Sequence, residues 1–132
     1  MKRMTRYAVW IVTLVCLTLY VSMPMQAFAD NRWAVGEWNM VQYFTQDDGT
    51  NVTFNGRIRI YRGHHGLYGD IYFDALGKWE QLQNIEVTDE TIRFTRPMYE
   101  QKFYGHRNRN QINGTYKDKI HQGKWQWSAE KE

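Results

Sequence analysis

One phrase recurs four times in this chain of 132 residues: an apolar residue, any residue, glycine, any residue, then an apolar or long side chain. It reads Phe54-Asn55-Gly56-Arg57-Ile58, Leu67-Tyr68-Gly69-Asp70-Ile71, Phe103-Tyr104-Gly105-His106-Arg107 and Ile112-Asn113-Gly114-Thr115-Tyr116. In each case the glycine falls on the apolar parity of a period-two pattern, so it faces the core of a sheet. Glycine weakens a flat strand and is used where a strand bends or where another group comes close. Four such strands predict a tightly curled sheet, closed on itself.

The rest of the pattern agrees. Eight strands are expected, at about 36–44, 52–61, 66–73, 80–88, 91–96, 101–108, 111–117 and 123–129. Alternation is cleanest in the second, where Val52, Phe54, Gly56, Ile58 and Ile60 share one face. Thr53, Asn55, Arg57, Arg59 and Tyr61 share the other. This is half-buried antiparallel sheet. Turn residues separate the strands at Asp47-Asp48-Gly49, Gly63-His64-His65-Gly66, Thr88-Asp89-Glu90, Asn108-Arg109-Asn110 and His121-Gln122-Gly123. No stretch after the leader has a 3.6-residue apolar period. The expected fold is all-β, an eight-stranded antiparallel up-and-down barrel. A sandwich is disfavoured because the connections are too short for Greek-key crossings.

Residues 1–29 read as a secretory signal peptide. Lys2, Arg3 and Arg6 precede an apolar run from Tyr7 to Met23, followed by Pro24 and Ala27-Phe28-Ala29. Cleavage is expected after Ala29. The competing reading is an uncleaved anchor. Cys16 lacks the preceding small residue of a lipidation site. Loss of the leader removes three of the 17 Lys and Arg residues, which leaves 14 against 14 Asp and Glu. The expected product, residues 30–132, is a single neutral domain destined for secretion into the periplasm. It has no transmembrane span after processing, no cysteine and no basic field to attract nucleic acid.

Gly36-Glu37-Trp38 opens the first strand, and Gly123-Lys124-Trp125-Gln126-Trp127 lies in the last. With the meander between them and Gly114-Thr115-Tyr116, this resembles the calycin group of lipocalins, fatty-acid-binding proteins and avidins. It is also similar to small secreted lipocalin-like bacterial domains. The resemblance spans most of residues 36–129. It implies a barrel plugged at one end by tryptophan. The chain departs from the group in being short, in lacking a C-terminal helix and in lacking the avidins' order of biotin-contacting residues.

The expected function is ligand binding at the barrel mouth; the alternative is a filled barrel that acts as an interaction module through its outer face. In the first, Trp38, Phe54, Trp125 and Trp127 grip a small apolar or amphipathic ligand at the barrel mouth, with Gln42 or Asn84 orienting it. The competing account makes these aromatics the core itself. In the second, Arg57, Arg59, Tyr61, Tyr68, Tyr72 and Tyr104 form an outer recognition face for a protein or a cell-wall glycan. Against it stands cross-strand pairing, with Arg59 near Asp70 and Arg57 near Tyr72. His64 and His65 lack a third metal ligand nearby. Glu37, Asp70, Asp74, Glu80, His106 and His121 are acids and bases without a catalytic motif. Neither a cofactor nor an enzymatic activity is expected. An outer-membrane barrel is excluded by short strands and by Arg, Asp and Lys on the outward parity.

Overall fold

The computed structural model describes residues 30–132. The leader and its cleavage site therefore lie outside the described residues. Nine strands follow one another: β1 (Gly36–Thr45), β2 (Asn51–Gly63), β3 (Gly66–Phe73), β4 (Lys78–Gln81), β5 (Gln83–Val87), β6 (Thr91–Arg96), β7 (Gln101–Asn108), β8 (Gln111–Lys117) and β9 (Trp125–Lys131). They form one sheet in the order β4-β3-β2-β1-β9-β8-β7-β6-β5. All neighbours are antiparallel, and β9 pairs with β1. The sheet curls into a nearly closed up-and-down barrel.

The strand count differs from expectation: nine, not eight. The segment read as one strand over 80–88 divides at Leu82. That side chain turns inward and is buried, while its amide donates to Gly69 O at 2.8 Å. Asn84 has φ 54, in the left-handed region that asparagine tolerates better than most residues. The pairing register then slips between Gln83 and Glu86. The first half of the segment pairs with β3 and the second with β6. The two sheet edges are thus consecutive in the chain, and the barrel has a single seam. The last strand begins at Trp125 rather than 123. The Asp118 carboxylate accepts from the Ile120 and His121 amides, at 3.1 and 2.6 Å, and holds the preceding segment as a turn.

Inside the barrel the apolar parity stacks in layers. Trp38, Met40, Ile58, Ile60, Ile71, Phe73, Ile92, Phe94, Phe103, Ile112, Tyr116, Trp127 and Ala129 are all buried. Trp127 is the centre of the packing, edge-on to Phe94 and Phe103 at ring separations of 5.5 and 5.6 Å. The recurrent glycines make room for this. A Cβ on Gly114 would lie 1.9 Å from Tyr104 O, and one on Gly56 would lie 2.0 Å from Tyr72 O. Adjacent strands approach too closely there for any side chain.

One end of the barrel is sealed. Asn31 leads into a single 3-10 turn, Arg32–Ala34, that lies across it. The Trp38 indole N–H donates to Ala34 O at 2.9 Å, and the Trp33 indole N–H donates to Thr88 O at 2.8 Å. Lys131 Nζ donates to Trp33 O at 2.8 Å and sits 5.4 Å from the Trp38 ring. Gly36-Glu37-Trp38 thus starts the barrel at its closed end.

Candidate site at the barrel mouth

Along β1 the inward residues run Trp38, Met40, Gln42 and Phe44, from the sealed end to the opposite one. At about 3.3 Å per residue, Gln42 lies some 13 Å above Trp38. There the interior stops being apolar. Gln42, Arg96 and Gln101 are 3, 5 and 7 % exposed, so three polar side chains are buried in one layer. β6 places Arg96 on the same parity as Ile92 and Phe94, and β7 places Gln101 on that of Phe103 and Gly105.

Each of these three side chains is hydrogen-bonded within the layer. Arg96 Nε donates to Glu80 Oε2 at 3.0 Å, and Nη2 lies 2.9 Å from the same oxygen. Arg96 Nη1 donates to Gln101 Oε1 at 3.0 Å, which also accepts from Gln42 Nε2 at 3.4 Å. The guanidinium lies over the Phe73 ring at 4.5 Å. Glu80 comes from β4 and Arg96 from β6, so the ion pair laces the seam of the barrel. Burial of a charge requires a partner of this kind.

Above the polar layer opens a pocket of about 330 Å³. Its walls include Phe44, Phe54, Leu76, Met98 and Tyr99. Phe54, Leu76, Met98 and Tyr99 are 37, 50, 36 and 52 % exposed, which leaves an apolar rim in solvent. Tyr99 and Glu100 both have positive φ, 61 and 45. Non-glycine residues in that region cost about 1–3 kcal/mol each and cluster where a ligand is clamped. The turn is tied to the opposite rim by the Lys119 amide, which donates to Tyr99 O at 3.1 Å, and by Lys119 Nζ on Glu100 at 3.3 Å. On the far wall the Tyr116 hydroxyl donates to Tyr43 O. Burial pushes the Tyr116 phenol up to about 12, with the Asp118 carboxylate adding to the effect and a Gln42 hydrogen bond opposing it.

Of the residues proposed from sequence for ligand contact, Gln42 and Phe54 line this pocket. Trp125 stands next to it, against Phe44 at 4.8 Å and His121 at 6.1 Å. Trp38 and Trp127 are sealed in the core, 1 % exposed each. Asn84 lies in a separate surface groove with Arg93, Lys102, Tyr104 and Lys124. Arg96 and Gln101 were missed. Strand parity from Ile92 and Phe103 could have found both.

The residues proposed for the outer face divide between two walls. Tyr61 faces Tyr68, Arg59 faces Asp70 and Arg57 faces Tyr72 across β2 and β3. Tyr61 and Tyr68 stack at 5.9 Å, and Arg59 bonds Asp70 at 2.9 Å. Trp79 of β4 completes this ladder, with Arg59 over its ring at 4.1 Å and Tyr72 at 5.3 Å. Cross-strand pairing therefore occupies many of the stacking faces. Tyr104 is on β7 and packs with Arg93 instead.

Among the described residues, no group of three or more His, Cys, Asp or Glu could hold a metal ion. Among the same residues, no helix is long and apolar enough to cross a membrane. Compared with known protein families, curated proteins and solved structures, the chain matches none.

Proposed function

We propose that this chain is an exported, calycin-like binding protein that takes a small apolar or amphipathic ligand into the open mouth of its barrel. The observation that carries the reading is the mouth itself: an apolar rim left in solvent above a buried layer of Gln42, Arg96 and Gln101. Ligand pockets combine apolar walls with a few convergent polar groups in this way. The volume of about 330 Å³ is at the small end of the usual range. Below the polar layer lie buried apolar side chains, Trp127, Phe94 and Phe103 among them, and the ligand is taken at the mouth above them. The leader-like segment of residues 1–29 supports export to the periplasm.

The reading is tested with N-phenylnaphthylamine, an uncharged fluorescent probe of apolar sites. Binding should raise probe emission and the melting temperature together; at a hundredfold excess over Kd the stabilisation is about 2.7 kcal/mol. Leu76→Glu puts a charge on the exposed rim, so probe affinity should fall about tenfold while the melting temperature of the free protein holds. A probe that neither brightens nor stabilises the protein, or one indifferent to Leu76→Glu, would defeat the reading.

A further inference from the structure

The charge of the ligand head follows from the floor of the pocket. We propose that the mouth selects amphiphiles with an uncharged, hydrogen-bonding head, such as an alcohol or amide, and that Glu80 is the residue that sets this preference. The inference rests on the ligand-carrying reading of the mouth and deepens it.

An arginine at the base of an apolar pocket would by itself favour a carboxylate. Here its charge is already cancelled. Glu80 Oε2 takes both Nε and Nη2 of Arg96, and the two side chains are only 12 and 6 % exposed. The carboxylate of the pocket wall itself, Asp118, is engaged by the Ile120 and His121 amides and by the His121 ring at 3.0 Å. Beside the Arg96–Glu80 pair, a carboxylate entering this layer would therefore add an uncompensated negative charge away from water, and an ammonium an uncompensated positive one. Either is costly in a medium of low dielectric. Hydrogen-bonding capacity remains for a neutral head. A guanidinium has five N–H groups, and one Nη1 hydrogen goes to Gln101 Oε1. The second Nη1 hydrogen and the Gln101 amide hydrogens are given to no protein acceptor among the described bonds. An alcohol or amide oxygen can accept from them without adding charge. Glu80 lies behind Arg96, outside the pocket walls, so it acts on the ligand through the guanidinium.

The experiment displaces N-phenylnaphthylamine from the wild-type protein with decanol, decanoate and decylamine at about pH 8, where the acid and the amine are charged. Decanol should bind about tenfold more tightly than either charged chain. Glu80→Gln keeps an oxygen for Arg96 but uncovers its charge. Decanoate should then gain about tenfold, while decylamine weakens. Arg96→Gln leaves Glu80 uncovered and should reverse the pattern, favouring decylamine. Either variant that folds therefore supplies the test. Wild-type protein that binds decanoate as well as decanol, or a folded variant with an unchanged order of affinities, overturns the proposal while leaving the carrier reading intact. Failure of the probe and of all three chains to bind removes both.

Discussion

Replacing Gly114 by alanine tests the strand contacts on which the barrel's curvature depends. The added Cβ would stand 1.9 Å from Tyr104 O, 2.7 Å from Gly105 Cα and 2.7 Å from Trp127 Nε1. Two of these neighbours are backbone, so no side-chain rotation relieves the overlap. β7 and β8 must separate, which strips the Trp127 indole of its 3.1 Å bond to Tyr104 O. Overpacking of this severity costs about 3 kcal/mol, and the buried donor left unpaired adds at least about 1 kcal/mol. The sum, about 4 kcal/mol, is a large share of the 5–15 kcal/mol that holds a typical domain. For a domain of this size it lowers the melting temperature by about 16–32 °C. Thermal unfolding followed by tryptophan emission and circular dichroism measures it. Thr115→Ala, one residue along, loses only strand propensity, about 1 kcal/mol or less. If Gly114→Ala melts within a few degrees of Thr115→Ala, the close approach of β7 and β8 is not real, and the account of the glycines falls with it.

Two further outcomes follow from single side chains. The Tyr116 phenol is held up to about 12 in the folded protein, against about 10 in the unfolded chain. Its contribution is therefore complete below pH 10 and is lost between pH 10 and 12, as the unfolded state alone releases the proton. The melting temperature of the wild type should fall more steeply across that window than that of Tyr116→Phe; parallel curves would refute the assignment. On the outer wall, Arg59 is 44 % exposed despite its contacts with Asp70 and Trp79. Arg59→Ala should cost no more than about 1 kcal/mol, and added salt should shrink the difference. A loss above about 2 kcal/mol would mean that this ladder holds the barrel together rather than decorating it.

The barrel was legible because its signals are local. Alternation in Val52–Ile60 and the glycines at 56, 69, 105 and 114 are properties of single strands, and they set both the faces and the bends. The limits of β3, β6, β7 and β8 fall where residue parity and turn chemistry place them. What could not be read was the division at Leu82. Nothing in Glu80-Gln81-Leu82-Gln83-Asn84 states that its two halves serve opposite edges of the sheet; that is decided by closure, a property of the whole chain. The mouth is only half legible. Strand parity puts Arg96 on the inner face, but nothing in the sequence pairs it with Glu80, which reaches it only when the sheet curls closed. The outer pairs of Arg57, Arg59 and Tyr61 were visible, since β2 and β3 are joined by one short hairpin, whereas Trp79 required the placement of β4.

The glycine signal also carries a second lesson, about where room in the barrel goes. Glycine at a core position leaves space for either a neighbouring side chain or a ligand, and the pattern alone does not distinguish them. At Gly105 and Gly114 the neighbours include Trp127 beside Ile112 and the Tyr104 backbone: a Cβ on either would meet the indole at 2.7 Å. The space is filled from within. The mouth follows the opposite logic. A chain able to pack Trp127 edge-on against the Phe94–Phe103 stack could close the last layer with apolar side chains as well, yet it buries Gln42, Arg96 and Gln101 there and pairs Arg96 with the part-buried Glu80. A buried ion pair is often no more stabilising than apolar residues of the same volume, and the adjacent Tyr99–Glu100 turn adds strain. Stability accounts for the lower layers of this barrel but not for the uppermost one. The uppermost layer is therefore where a function beyond folding has to be sought.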